Sequence, residues 1–225
     1  MRTPYGEPSG AMTFGELAGA EVVFLARHGY GHTLAPHEIN YRANIWALKE
    51  LKVDGVIAVA TVGGIHPDCV PGSLVLPDQI IDYTHSRKST FFEGSEMPVI
   101  HVDFTAPYSE SLRAGLIKAA AGCQEQLRNG AVYACTQGPR LETAAEIERI
   151  AREGGDIVGM TGMPEAVLAR ECELEYASLA VVVNHAAGRG DSRTAIKLEE
   201  IGLVMQATIS RAVRILSSFL EATMS

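Results

Sequence analysis

The chain is short of positive charge. It carries 19 Lys+Arg against 27 Asp+Glu in 225 residues, a formal net charge of -8. That balance excludes a nucleic-acid platform, because binding a phosphodiester backbone requires a basic surface. Any phosphate held here must be held by a few local cations and backbone N–H groups. Long apolar runs are also missing: none approaches the roughly 20 residues needed to span a bilayer, so no membrane association is expected. The opening residues Arg2-Thr3-Pro4-Tyr5-Gly6 contain no apolar core of a secretory signal, and a cytoplasmic protein is expected. The cysteines, Cys69, Cys123, Cys135 and Cys172, form no CxxC pair and read as reduced thiols. The histidines give no HExxH pattern, and no metal site is expected. His28 and His32 have helical i, i+4 spacing, but Gly29 and Gly31 between them argue against a helix. There is no GxGxxG opening a first helix and no GxxxxGK[ST] loop, so neither a dinucleotide nor a nucleoside triphosphate site is indicated.

What is present is an alternation of strands and helices. Apolar runs at 21–26, 55–62, 73–76, 79–82, 130–136, 156–160 and 174–183 read as strands. Helical stripes run over 36–51, 109–127, 143–153, 164–172 and 198–222. Strands without polar alternation are buried on both faces, and their spacing by helices predicts an α/β chain of one domain over 1–225. Its central sheet is expected to be mixed, mainly parallel and flanked by helices. A chain of this length can bury roughly 70–75% of its unfolded surface without a disulfide or metal.

Four of the apolar strands end in small, polar or charged residues: Arg27-His28, Ala60-Thr61 before Gly63-Gly64, Met160-Thr161-Gly162, and Asn184-His185. In open α/β sheets ligands sit outside the carboxyl ends of strands. Small residues there let backbone N–H groups approach an anion, and an arginine adds a fork of donors suited to phosphate. Each residue alone also has a structural reading: Arg27 as an ion-pairing arginine, His28 and His32 as turn residues, Thr61 and Thr161 as strand-end hydroxyls. Likewise Asn184 would be a turn former and Glu142 a helix-start carboxylate. Function requires that they converge.

The runs LARHGYGH (Leu25–His32), NYRANIWALK (Asn40–Lys49), GGI…PGSLVLPDQIID (Gly63–Asp82), QGPRLET (Gln137–Thr143) and DIVGMTGMPEAVLARE (Asp156–Glu171) resemble the trimeric purine nucleoside phosphorylase family. Within it they resemble the methylthioadenosine/methylthioinosine phosphorylase branch, over nearly the whole chain and in order. The resemblance implies a pentosyltransferase that needs no cofactor and uses inorganic phosphate as co-substrate. It implies Arg27, His28, Thr61 and Thr161 on phosphate, with His32 nearby, and Ala60 and Met160 at the sugar. Glu142 and Asn184 would recognise the base, Asn184 being the catalytic donor toward the departing purine, with His185 and Ala186 beside it. His101 would enter a neighbouring subunit's 5′ pocket, which implies a homotrimer, or a hexamer of two trimers. The family's opening strand and GGTG- or GGSG-type loop have no counterpart in Arg2–Gly6, which implies either a protein that is longer at this end or a pocket without that loop's hydroxyl.

Glu142 can accept a hydrogen bond from N1–H of a 6-oxopurine, and an Asn184 amide can donate to O6; a 6-aminopurine presents the reverse pattern. A mismatched buried polar pair costs about 1–3 kcal/mol, enough to discriminate. The segment Thr194–Leu198 is expected at the 5′ position, where Ile196 gives an apolar lining, with Tyr30 and Phe104 as further candidates. The expected reaction is phosphorolysis of S-methyl-5′-thioinosine. The alternatives are a general inosine/guanosine phosphorylase or a weakly active purine-binding homologue.

Overall fold

The computed structural model describes residues 2–95 and 97–224, without the side chains of Leu198 and Glu200. Two strands carry the centre. β3 (Gly55–Gly64) and β9 (Glu175–His185) pair in parallel along their whole length. Along β9 the side chains alternate between two cores: Tyr176, Ala180 and Val182 enter one, and Ala177, Leu179, Val181 and Val183 the other. That is why the sequence shows an unbroken apolar run instead of polar alternation. On one face the first core is closed by α1 (Tyr41–Glu50) and α4 (Gly162–Glu171), through Ile45, Leu48, Ala166 and Leu168. On the other, α2 (Glu110–Gly122) and α5 (Leu198–Thr223) contribute Leu116, Ala119, Ala212 and Ile215. A third cluster sets Ile147 and Ile150 of α3 (Ala144–Arg152) against Val158 and Ala134.

The remaining strands of this sheet are β4 (Leu74–Leu76), β5 (Gln79–Asp82), β6 (Leu127–Asn129), β7 (Val132–Cys135) and β8 (Ile157–Gly159). The seven run in the order β5-β7-β8-β3-β9-β4-β6. Pairs β5–β7, β7–β8, β3–β9 and β4–β6 are parallel, while β3–β8 and β4–β9 are antiparallel. The mixed, mainly parallel α/β sheet expected from the sequence is the one observed. No helix among the described residues is long and apolar enough to cross a membrane.

Some boundaries differ from the sequence expectation. The first run is β2 (Ala20–Phe24), which pairs with β1 (Thr13–Leu17) in a separate two-stranded sheet. Leu17 and Ala20 are cross-strand partners, so the connection is the two residues Ala18 and Gly19, at φ 51° and 83°. Positive φ at both positions is the geometry of a tight hairpin, and the glycine at the second position was the available signal. The stripe at 36–51 becomes helical only at Tyr41, because the Asn40 side chain caps α1 by accepting from Ala43 N–H. The helix over 109–127 stops at Gly122, and Leu127–Asn129 joins the sheet as β6 beside β4. In α4 the residue Met163 has non-helical φ −119°, ψ 140°.

Candidate active site

The turn after β2 brings Arg27 to the sheet. Its Nε and Nη2 donate to the two carboxylate oxygens of Glu165 at 2.8 and 2.7 Å, and Nη1 donates to the Val59 carbonyl of β3 at 3.1 Å. Glu165 is nearly buried and also accepts from the Tyr176 hydroxyl at 2.8 Å. Burial opposes the charge on Arg27, but the Glu165 carboxylate outweighs it and holds the guanidinium above its ordinary pKa. Arg27 is therefore ion-paired, as its structural reading had it, in a buried fork. Among the described residues three of its five N–H donors are engaged, which leaves two.

Gly29 and Gly31 turn the chain immediately afterwards, and His28 stacks on His32 with ring centroids 4.3 Å apart. His28 Nδ1 lies 2.9 Å from the Leu34 carbonyl, which can only accept, so Nδ1 carries the proton and Nε2 is left for a ligand. Burial pushes His28 below the ordinary histidine pKa, with smaller contributions from His32 and Arg27.

The antiparallel register of β8 on β3, Gly63↔Val158 and Gly64↔Ile157, sends the chain after β8 back along β3. Met160 and Thr161 thus leave the sheet on the side of Ala60 and Thr61. Thr161 is buried, its N–H 3.4 Å from the Tyr133 hydroxyl, whereas Thr61 is exposed. Glu165 follows Thr161 by four residues, past the break in helical geometry at Met163, which ties Arg27 to this corner. Met160 lies over Gly138, where a Cβ would collide with its thioether sulfur; Gly138 is also at φ +61°.

β9 approaches from the other side. Its register on β3 shifts between Val62↔Val182 and Gly63↔Asn184, so Val183 is an extra residue, a bulge. A bulge re-aims the side chains beyond it, here those of Asn184-His185-Ala186. Asn184 is half-buried, and its Nδ2 donates to the His185 carbonyl at 2.7 Å. Ala186 N–H donates to the Gly64 carbonyl at 2.8 Å, and Ala186 packs on Gly63. Gly64 has no room for a side chain, because a Cβ would strike the Cys69 carbonyl.

Glu142 precedes the α3 cap. One of its oxygens, Oε1, accepts from the Thr136 hydroxyl at 2.6 Å. Glu142 and Ile196, assigned to base and sugar ends from sequence, share the wall of one cavity of about 350 Å³, with Ala187, Gly188, Ser192 and Arg193 between them. His101 is exposed on the loop before α2. Of the further 5′ candidates, Tyr30 hydrogen-bonds to the Ala11 carbonyl at 3.1 Å, and Phe104 packs against the larger core.

Sequence reasoning missed three residues. Glu165 and Thr136 are the partners of Arg27 and Glu142. Arg87 gathers carbonyls: Nη1 donates to Met160 and Met163 O at 2.8 and 2.6 Å, and Nη2 to Gln137 O at 2.8 Å. It thus ties the loop after β7 to the loop after β8.

The "Probable S-methyl-5′-thioinosine phosphorylase" of Pseudomonas syringae pv. tomato is 53% identical over 225 residues, 99% of this chain and 90% of the relative. The "6-oxopurine nucleoside phosphorylase" of Pyrococcus furiosus is 52% identical over 193 residues, 84% of this chain and 72% of the relative. Among solved structures, methylthioadenosine phosphorylase from Schistosoma mansoni in complex with adenine superposes with a TM-score of 0.94 at 30% identity, covering 99% of this chain and 83% of that one. The family model described as Phosphorylase superfamily matches residues 1–221, and the chain belongs to that family.

Proposed function

We propose that the chain catalyses phosphorolysis of a 6-oxopurine nucleoside, with S-methyl-5′-thioinosine as its substrate. Phosphate attacks C1′, the N-glycosidic bond breaks, and the products are hypoxanthine and 5-methylthioribose 1-phosphate. Relatives named for S-methyl-5′-thioinosine and for 6-oxopurine nucleosides, each more than 50% identical, support the reaction class. The observation that carries the reading is the Glu142 carboxylate, held by Thr136 in a cavity that Ile196 also lines. A carboxylate accepts from N1–H, which a 6-oxopurine has and a 6-aminopurine lacks. An aliphatic wall favours a methylthio group over a 5′-hydroxyl, by about 1 kcal/mol for the buried methyl and sulfur.

In this reading bond cleavage develops positive charge on the sugar and negative charge on the departing purine. Arg27, His28, Thr61 and Thr161 hold a phosphate that stabilises the first and then attacks. Asn184, with the second N–H of its amide, donates to the base and stabilises the second. Met160, Ala60, His185 and Ala186 shape the sugar and base walls. Donors fixed in place before reaction are the largest source of such stabilisation. Inorganic phosphate serves as co-substrate, and no resident cofactor takes part. The assembly is a homotrimer in which His101 completes a neighbouring subunit's 5′ pocket; its flanking Val99 and Ile100 are exposed apolar residues on the same loop. General inosine/guanosine phosphorolysis is the second reading, favoured by the relatives named 6-oxopurine nucleoside phosphorylase.

Phosphate-dependent base release from methylthioinosine, inosine and methylthioadenosine tests this. Highest kcat/KM on methylthioinosine is expected. A preference for inosine selects the second reading, and a preference for methylthioadenosine, or no release from any of the three, overturns both.

A further inference from the structure

Glu142 has two oxygens and they are not equivalent. Oε1 receives the Thr136 hydroxyl at 2.6 Å. Among the described residues no protein donor reaches Oε2.

Thr136 is itself tightly placed. It comes directly after Cys135, the last residue of β7, and its N–H donates to the Gly159 carbonyl at the end of β8, at 2.8 Å. Its hydroxyl lies 3.3 Å from the same carbonyl. A hydroxyl has one proton, and of these two acceptors the carboxylate is both nearer and charged, so the proton points to Glu142. Arg87 fastens the same stretch by donating to the Gln137 carbonyl and, at 3.4 Å, to that of Thr136 itself. The threonine therefore cannot move with Glu142 if the carboxylate turns; it acts as a fixed peg.

The peg has a chemical consequence. With Oε1 occupied by a donor, the carboxylate presents Oε2 to a ligand as an acceptor in one orientation. N1–H of a 6-oxopurine matches that presentation. N1 of a 6-aminopurine is a lone pair and meets another lone pair. We propose that Thr136 is a specificity-determining positioning residue. By fixing Glu142 through Oε1 it sets the preference for 6-oxo over 6-amino nucleosides, although it touches no part of the substrate itself. The proposal rests on the reading of Glu142 as the N1–H acceptor, and its test separates the two.

Thr136→Val keeps the shape and deletes the donor; Thr136→Ser keeps the donor and trims the methyl. Each is assayed on methylthioinosine and methylthioadenosine at saturating phosphate, beside Glu142→Gln and a thermal melt of every variant. Thr136→Val is expected to lose roughly tenfold in kcat/KM on the 6-oxo nucleoside, mainly through KM, because a partly buried hydrogen bond to a charged group is lost before the transition state is reached. The loss on the 6-amino nucleoside is smaller, so the ratio of the two collapses, and Thr136→Ser restores it. Parallel losses on both substrates, an unchanged ratio, or a serine variant that behaves like the valine one would overturn the proposal. A Glu142→Gln variant that keeps the wild-type ratio removes the underlying reading instead, and the proposal with it. Should Thr136→Val not fold, Thr136→Ala deletes the same donor and is read in the same way.

Discussion

At the scale of single residues, Asn184 offers a donor where Glu142 offers an acceptor, and its role can be reversed by one atom. Replacing it with Asp exchanges the donor for an acceptor at the same position while the Glu142 side stays intact. Asn184→Asp should lower kcat/KM on methylthioinosine by roughly tenfold or more and raise the relative use of methylthioadenosine. Base release measured in parallel on both nucleosides checks this, and unchanged selectivity would count against a base contact at Asn184. The chemical types of such residues are visible in the sequence, because Arg27 and Asn184 stand out as polar residues where apolar strands end, and Glu142 as a carboxylate where a helix stripe begins. Their partners are not visible. Glu165, which binds Arg27 through both oxygens, lies 138 positions away and looks like any carboxylate in a helix. Thr136 reads as the last residue of a strand. Such pairs are made by the fold, and no local spacing encodes them.

At the scale of elements, the start of α3 is the best-specified local structure near the site. Thr143 accepts from Glu146 N–H at 3.1 Å, Glu146 accepts from Thr143 N–H at 2.7 Å, and Arg140 grips both oxygens of Glu146. The sequence ETAAE spells this reciprocal cap. It matters because Glu142 is the residue immediately before Thr143, so the cap fixes the backbone that carries the base-binding carboxylate. Arg140 first, and Thr143 second, hold Glu146 down to about 2 from an ordinary 4.5. A depressed carboxylate contributes stability that is present above its unfolded pKa and lost as pH falls through the folded one. Glu146→Gln should therefore melt lower than wild type at neutral pH, and the gap should close between about pH 4.5 and 2. Thr143→Ala should cost about 1 kcal/mol at neutral pH, a fall of roughly 2–4 °C in Tm for a chain of this size. The bulge at Val183 is the opposite case. VVVN gives no hint that one valine is passed over in the ladder, because all three valines are equally suited to a strand.

At the scale of the whole molecule, the alternation of apolar runs and helical stripes is enough to give the α/β class and the main sheet in outline. It does not predict that β8 runs against β3 where the parallel pairs β7–β8 and β3–β9 meet, a reversal set by long-range pairing. That reversal brings loops from strands of opposite direction to one place, with Met160-Thr161 on one side and Asn184-His185 on the other.

The Arg27–Glu165 fork has a further consequence for a chain of formal charge -8. The cation best placed for phosphate is already electrically neutralised by its own carboxylate, so an arriving phosphate adds charge that the ion pair does not balance. Electroneutrality is then restored most directly by a proton from solvent. His28, adjacent to Arg27 and pushed below the ordinary histidine pKa by burial, is the group whose affinity for that proton a bound anion raises. Phosphate binding should accordingly be coupled to proton uptake. Its calorimetric enthalpy at neutral pH should vary with the ionisation enthalpy of the buffer, and the slope should diminish in His28→Asn. The fork makes the site a paired acceptor of an anion and a proton, and its phosphate affinity should weaken as pH rises through the histidine range.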